Sequence, residues 1–291
     1  MPELPEVETI ARILRGDAHP NEGATPPGVG NARAFRDAPR EESILNREIL
    51  GAEIFWPKTV AAGEPGFVAR ITGQSIRSVG RRAKFLIIQC SEDALIIHLR
   101  MSGDIVLRPA GTPAAKHDRV TWQLSGGLDM AFNDTRKFGR VWLFDDPAAL
   151  FAGLGPEPLE DAFTPEGLYD ALQTRSRQIK PLLLDQGFLA GVGNIYADES
   201  LHRARLHPLR IASSITPAEA AALHTHIRAV LEEGIARNGS SIDWVYRGGE
   251  FQHDFRVYGR DGEPCYNCGT PIRRIVVGQR GTHFCPTCQP A

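Results

Sequence analysis

The sequence predicts an α+β chain of two domains: an N-terminal antiparallel β-sandwich with flanking helices, then a helical domain that ends in a small four-cysteine β-hairpin. Three observations predict it. Short β-rich runs crowd together between Ile49 and Phe144, separated by turn residues such as Ser102-Gly103 and Ser125-Gly126-Gly127. From Thr164 onward the apolar residues recur at helical spacing instead. The chain closes on Cys265-x2-Cys268-x16-Cys285-x2-Cys288. Two C-x-x-C pairs at this separation are the ligand set of a tetrahedral structural zinc site, so the hairpin reads as a zinc finger.

Residues 5–15 read as an amphipathic helix. Pro5 suits its first position and Glu6 and Glu8 its positive end, while Val7, Ile10, Ala11 and Leu14 form one apolar stripe. Residues 16–40 lose this pattern and are rich in Gly, Pro, Asn and Ala; they read as a loop insertion. Strands are expected at Ala52–Trp56, Ser75–Ser78, Lys84–Gln89, Ala94–Leu99, Asp104–Leu107, Val120–Leu124, Asp129–Asn133 and Val141–Phe144. The expected division is 1–150 for the sandwich, 151–163 for a linker containing Pro156 and Pro158, 164–250 for the helical domain and 251–291 for the finger. Helices are expected from Thr164-Pro165, over Lys180–Asp185, and over Asn194–Leu201 after a Gly-rich turn. Thr216-Pro217-Ala218-Glu219 is a capping box that opens a helix running through Leu223, Ile227, Val230 and Leu231 and stopping near Asn238-Gly239.

Composition bounds the possible functions. The hydrophobic fraction is 42%, ordinary for a globular chain, and no apolar run reaches the length of a membrane span. No basic n-region and apolar stretch of a secretory signal is visible, so a cytoplasmic location and no membrane partner are expected. Cys90 lies in an apolar run and reads as a small core residue, which leaves the four clustered thiols as metal ligands of a protein kept in a reducing compartment. The formal net charge is −2. Overall charge therefore gives no support to nucleic-acid binding, but its distribution does: Arg77, Arg81, Arg82 and Lys84 are clustered, and the tail after Cys265 carries Arg273, Arg274 and Arg280 with no acidic residue.

The chemistry concentrates at the two ends. Removal of Met1 would expose the secondary amine of Pro2 beside Glu3 and Glu6. An N-terminal amine has a pKa of about 7.7–8.0 and is partly unprotonated at neutral pH. Such an amine attacks a carbonyl-like carbon to give an iminium, an electron sink for elimination. The zinc, with four protein ligands, leaves no position for water and is structural. Gly191 and Gly193 allow close backbone approach, and the helix that opens at Asn194 points N–H groups at a phosphate. Phe138, flanked by Arg136 and Lys137, is an apolar wedge with basic neighbours.

Taken in order, these segments resemble the formamidopyrimidine-DNA glycosylase family (Fpg, related to the Nei enzymes). The markers run nearly end to end: Met1-Pro2-Glu3-Leu4-Pro5-Glu6, Arg81-Arg82-Ala83-Lys84-Phe85, His98-Leu99-Arg100-Met101-Ser102-Gly103, Lys116-His117-Asp118, Asp134-Thr135-Arg136-Lys137-Phe138-Gly139, Ile179-Lys180-Pro181, Gly191-Val192-Gly193-Asn194-Ile195-Tyr196, Val257-Tyr258-Gly259-Arg260 and the four cysteines. The resemblance implies a bifunctional base-excision enzyme that flips a damaged purine out of duplex DNA and then nicks the strand. It implies Pro2 as nucleophile at C1′, Glu3 as proton donor, Glu6 as a positioner of the sugar, Lys84 as the β-elimination acid, and Arg280 as the finger residue of δ-elimination. His117, Arg136 and Arg175 match DNA contacts. Lys180 and Asn194 match the phosphate-binding helix-two-turn-helix, which makes 164–250 the DNA-binding domain. Met101, Arg136 and Phe138 match the residues that fill the gap left by the flipped nucleotide. The implied cofactor is one structural Zn2+, with no organic cofactor; the implied partner is damaged double-stranded DNA, bound by a monomer. Ser240–Arg256, where family members that favour 8-oxoguanine carry a base-capping loop, is a few residues shorter here, which favours ring-opened purines over 8-oxoguanine. Two other readings stay open: a Nei-like preference for oxidised pyrimidines, and a non-catalytic damage-binding protein.

Overall fold

Helix α1 spans Leu4–Arg15, with Pro5 in its first turn and Gly16 closing it at φ 78°. A computed structural model of the chain describes residues 2–17, 43–61, 66–241 and 248–291. Most of the expected 16–40 insertion and the middle of the 240–256 stretch lie outside the described residues. The buried stripe of α1 is the one the sequence spacing predicts: Val7, Ile10, Ala11 and Leu14.

The expected runs all form strands: β1 (Ile49–Ile54), β2 (Ile76–Arg82), β3 (Phe85–Cys90), β4 (Ala94–His98), β5 (Gly103–Pro109), β6 (Asp118–Leu124), β7 (Leu128–Asp134) and β8 (Arg140–Phe144), with a short helix α2 (Phe67–Ile71) after β1. They build two antiparallel four-stranded sheets, ordered β1-β6-β7-β5 and β2-β3-β4-β8. Alternate residues of both sheets, among them Leu86, Ile88, Leu95, Ile97, Val120, Trp122 and Phe132, enter one core together with the stripe of α1. Lys84 is not the first residue of β3, as its run suggests. Arg82 pairs with Phe85, so Ala83 and Lys84 form the two-residue turn between β2 and β3, with Ala83 at φ 53°.

The chain divides into two compact units, Met1–Ala152 with Ile235–Glu250, and Gly153–Gly234 with Phe251–Ala291. The segment 235–250 therefore groups with the sandwich rather than with the helical domain. Residues 153–163 are not a slack linker. The Gly155 N–H donates to the Gln186 carbonyl at 2.8 Å, the Ala190 N–H to the Pro156 carbonyl at 3.0 Å, and Arg228 to the Pro158 carbonyl at 3.1 Å.

After the short helix α3 (Ala148–Phe151), the second unit holds α4 (Pro165–Gln173), α5 (Ile179–Leu183), α6 (Asn194–Arg203) and all but the last two residues of α7 (Pro217–Ala236), then the hairpin of β9 (Arg273–Val277) and β10 (Arg280–Phe284). The capping box at α7 is made: the Thr216 N–H donates to Glu219 at 2.8 Å and the Glu219 N–H to the Thr216 hydroxyl at 3.3 Å. Leu223, Ile227, Val230 and Leu231 of α7 are fully buried. No described helix is long and apolar enough to cross a membrane.

Candidate active site and nucleic-acid interface

In the first unit, Pro2 and Glu3 lead directly into α1 and both are buried. The Glu3 N–H donates to Glu6 Oε2 at 2.8 Å, as in a capping box, so the backbone beside Pro2 is locked to the first helical turn. The other oxygen of Glu6 accepts from the Ser240 N–H at 2.7 Å and from the Ser240 hydroxyl at 3.1 Å. Gly239, at φ 77°, lets this contact form: a Cβ there would lie 2.7 Å from Glu6 Cγ. Glu6 is thus a carboxylate whose two oxygens both accept backbone N–H groups. It clamps the start of the chain to residue 240, 234 positions away. Spacing alone shows half of this arrangement; the Ser240 partner has no local sequence signal.

Helix α1 lies on β2. Glu8 pairs with Arg81 at 3.2 Å, and Arg15 donates to the Val79 carbonyl at 3.1 Å. Moving back along α1 therefore moves forward along β2, and the end of α1 that carries Pro2 and Glu3 is the end nearer the turn that carries Lys84. Lys84 is only 6% exposed. Its neighbour Phe85 stands opposite His98 and meets it edge-on at 4.7 Å between ring centroids. The His98 Nδ1 accepts the Arg100 N–H at 3.0 Å. Burial, and then the positive charges of Arg100 and Lys84, push His98 down to about 3, so its ring is neutral at physiological pH.

The turns that carry the expected wedge residues are held by Asp134, a fully buried carboxylate at the end of β7. One oxygen accepts the Ser102 hydroxyl and the Arg136 N–H (3.1 Å), and the other accepts the Gly139 N–H at 2.8 Å. Its own N–H donates to the His117 carbonyl at 2.9 Å, and its carbonyl accepts from Arg119 at 2.7 Å. Gly103 pairs with Asp134 across β5 and β7, which brings the Met101-Ser102 turn to the same end. Met101, His117, Arg136 and Phe138 are therefore grouped around one residue, through its backbone and its side chain, that the sequence reading did not single out. Arg136 is exposed and Phe138 is 50% exposed, with the Arg136 guanidinium 5.1 Å from the Phe138 ring centroid. A half-exposed Phe on a rigid turn is available for intercalation, which a core residue is not.

In the second unit the outcome is mixed. Arg175 is exposed after α4. Arg280 is exposed at the head of β10, beside the two-residue turn Gly278-Gln279, whose φ angles of 54° and 63° are those of a type I′ hairpin. Lys180, expected on a phosphate, is instead wholly buried. Its ammonium pairs with Asp198 Oδ1 at 2.6 Å and donates to the Thr282 hydroxyl at 2.7 Å and the Gly281 carbonyl at 3.1 Å. The same Gly281 carbonyl accepts the Asn194 side-chain N–H at 3.0 Å. Asp198 also accepts the His283 N–H at 2.9 Å. Both residues that the sequence assigns to phosphate thus hold the strand that presents Arg280.

The four cysteines converge. Their Sγ atoms all lie within 4.8 Å of one another, with Cys265–Cys288 at 3.9 Å and Cys268–Cys285 at 3.5 Å. A tetrahedral zinc with Zn–S bonds of about 2.3 Å requires S···S separations of about 3.8 Å, so the donor set fits. Hydrogen bonds from Thr270 draw Cys268 down to about 6, while burial and the neighbouring thiols push Cys288 up to about 12. A dication is what would let all four sulfurs be thiolates together. Glu199 of α6 accepts the N–H groups of Arg256, Val257 and Tyr258 at 2.9–3.1 Å and fixes the entry to the finger.

Comparison with known proteins gives matches along most of the chain. Residues 33–141 match the family described as the formamidopyrimidine-DNA glycosylase N-terminal domain, residues 154–245 its H2TH domain, and residues 262–291 the zinc finger found in FPG and IleRS. The formamidopyrimidine-DNA glycosylase of Chloroflexus aurantiacus is 45% identical over 297 residues, covering 99% of this chain and 98% of that protein. Its counterpart from Pelotomaculum thermopropionicum is 42% identical over 299 residues, covering 99% of each. Among solved structures, Lactococcus lactis Fpg (MutM) in complex with DNA containing N7-benzyl-Fapy-dG superposes with a TM-score of 0.85 at 34% identity, covering all of both chains. A MutM complex with DNA containing carbocyclic 8-oxo-G gives the same TM-score and identity.

Proposed function

The chain belongs to the formamidopyrimidine-DNA glycosylase family, a DNA glycosylase family of base-excision repair, and from that premise we propose a mechanism in which Pro2 both releases the damaged base and opens the strand. The single observation that carries it is the anchored N-terminus: Pro2 and Glu3 are buried at the head of α1, with Glu6 already committed to Glu3 and Ser240. Glu3, adjacent to the nucleophile in the chain, is the carboxylate that serves as acid and base.

Once Met1 is removed, the positive pole of α1 favours the neutral, nucleophilic amine of Pro2 over its ammonium form. The Pro2 nitrogen forms a bond to C1′ as the base departs with the glycosidic electron pair and takes a proton from water, and the Pro2 N–H proton passes to Glu3. The ring C1′–O4′ bond then breaks, O4′ takes a proton from Glu3, and the resulting cationic iminium is stabilised by the ionised Glu3 carboxylate. The iminium acidifies the C2′–H. Its removal breaks the 3′ C–O bond in β-elimination, with Lys84 as acid. A second elimination at the 5′ side, assisted by Arg280, leaves a one-nucleotide gap with phosphorylated ends. His117, Arg136 and Arg175 contact DNA, while Met101, Arg136 and Phe138 fill the space of the extruded nucleotide. Zinc, when bound, folds the finger and supplies no step of the reaction. The substrates proposed are ring-opened purines and 8-oxoguanine in duplex DNA.

Borohydride trapping on a duplex with one oxidised purine tests this. The wild type is expected to form a covalent adduct, and Pro2→Gly or retention of Met1 to abolish it. Trapping that survives both changes would refute Pro2 as the nucleophile, and faster excision of oxidised pyrimidines would favour the Nei-like reading.

A further inference from the structure

We propose that His202 is a positioning residue of the metal centre, donating a hydrogen bond from its Nε2–H to the Cys265 thiolate and so tying helix α6 to the zinc. The proposal rests on the reading of the four cysteines as a zinc site. His202 is 1% exposed and Cys265 3% exposed. The Nε2 atom lies 3.6 Å from Cys265 Sγ, the separation of an N–H···S contact.

The tautomer follows from the surroundings. The Nδ1 atom is buried with no hydrogen-bond partner among the described residues. A neutral imidazole carries one N–H. Placed on Nδ1, it would be a stranded buried donor and would turn the Nε2 lone pair toward an electron-rich sulfur. On Nε2 the proton meets the sulfur, and only an acceptor is left unpaired. The geometry therefore selects Nε2–H.

The other ligands find donors closer by. Cys285 Sγ accepts the Cys288 N–H at 3.4 Å, and Cys268 is hydrogen-bonded by Thr270. Cys265 takes its donor from a helix 63 residues earlier. Within α6, Asp198 and His202 are one turn apart and share a face. Asp198 receives the His283 N–H, Glu199 receives the 256–258 N–H groups, and His202 reaches Cys265. The helix that opens with Asn194 is thus fastened to the finger through Asn194, Asp198, Glu199 and His202, the last of them at a metal ligand. Donation to sulfur also withdraws charge from the thiolate, which makes it less prone to protonation and to attack while it stays bound.

The test uses the full-length, zinc-loaded protein and two substitutions: His202→Phe, a ring without a donor, and His202→Gln, which restores an N–H. Zinc affinity is measured by competition with a chromogenic chelator, and the sulfur-to-metal charge-transfer band is read after cobalt substitution. Loss of a hydrogen bond to a metal ligand typically weakens affinity about 10–100-fold. The Phe variant is expected to show that loss and a charge-transfer band at lower energy; the Gln variant should recover both. A Phe variant with wild-type affinity and band position overturns the proposal. If the Phe protein fails to fold, Gln is compared with a donorless Leu: wild-type-like behaviour of Gln supports the bond, and equal loss in Gln and Leu refutes it. A wild type that holds no zinc overturns the underlying metal reading, and the proposal with it.

Discussion

Replacing Lys180 by Met separates two roles that the same residue could hold, because each role moves a different observable. In the structure the Lys180 ammonium pairs with Asp198 at 2.6 Å and both side chains are 0% exposed. The substitution keeps most of the stem but removes the charge, leaving a buried carboxylate supported mainly by the His283 N–H at 2.9 Å. Breaking one half of a buried pair costs about 3–5 kcal/mol. Because Asp198 keeps that amide bond, the lower end, about 3 kcal/mol, is expected for the second unit. The loss would be read as a fall in unfolding free energy from urea titration. The first unit should be unaffected. DNA affinity should fall because the Arg280 hairpin loses its support at Gly281 and Thr282, yet the slope of log K against log salt should be unchanged, since no phosphate contact is removed. If Lys180 instead touched a phosphate, the slope would drop by about 0.9, with stability nearly intact. A flatter salt slope in a fully stable Lys180→Met protein refutes the buried-lock reading.

Three further outcomes are expected. Asp134→Asn replaces a carboxylate that accepts the Arg136 and Gly139 N–H groups by an amide whose NH2 must face one of them; discrimination between damaged and undamaged duplex should fall by about tenfold or more, corresponding to about 1.4 kcal/mol, while trapping on a pre-formed single-stranded abasic site persists, and an unchanged ratio of affinities would count against the hub. Substituting Cys265 and Cys285 together by Ser should release the metal and remove tight DNA binding while the sandwich keeps its cooperative transition; tight binding by the metal-free protein would argue against the finger's role. His98, neutral in the fold because burial and nearby cations hold it at about 3 against an ordinary 6.5, lets the unfolded chain take up a proton first as pH falls. Its contribution to stability is therefore complete above pH 6.5 and is lost progressively down to pH 3. His98→Gln, which keeps an acceptor for the Arg100 N–H, should show a flatter fall in urea midpoint between pH 7 and pH 4, and identical slopes would show that another group titrates.

Much of this architecture was legible from local pattern. Short β-rich runs separated by turn residues mark the strands of the sandwich because β-branched and aromatic side chains suit the pleated backbone while glycine-rich turns interrupt it. The stripe Val7, Ile10, Ala11, Leu14 marks α1 because that spacing places side chains on one helical face, and the cysteine spacing marks the finger because four short side chains must reach one point. Strand limits were less legible: β1 begins at Ile49, before the expected Ala52, since its pairing with β6 starts at Ile49–Leu124. Pairing partners are chosen across the sheet and leave no trace in the run itself.

The candidate site divides in the same way. Residue type and motif order pointed to Pro2, Glu3, Phe138, Arg280 and the cysteines, since each chemistry demands those atoms. What sequence could not decide is which charged residues face solvent and which are consumed inside. Lys180 and Arg280 are both basic residues expected to meet DNA, yet one is sealed against Asp198 and Thr282 while the other stands exposed at a hairpin. Glu6 and Asp134 likewise became anchors because backbone N–H groups far along the chain, or around a tight turn, were delivered to them. A side chain's chemistry is carried by its own atoms and can be read from one letter; its role depends on which partners folding brings within about 3 Å, and only the packed structure supplies those.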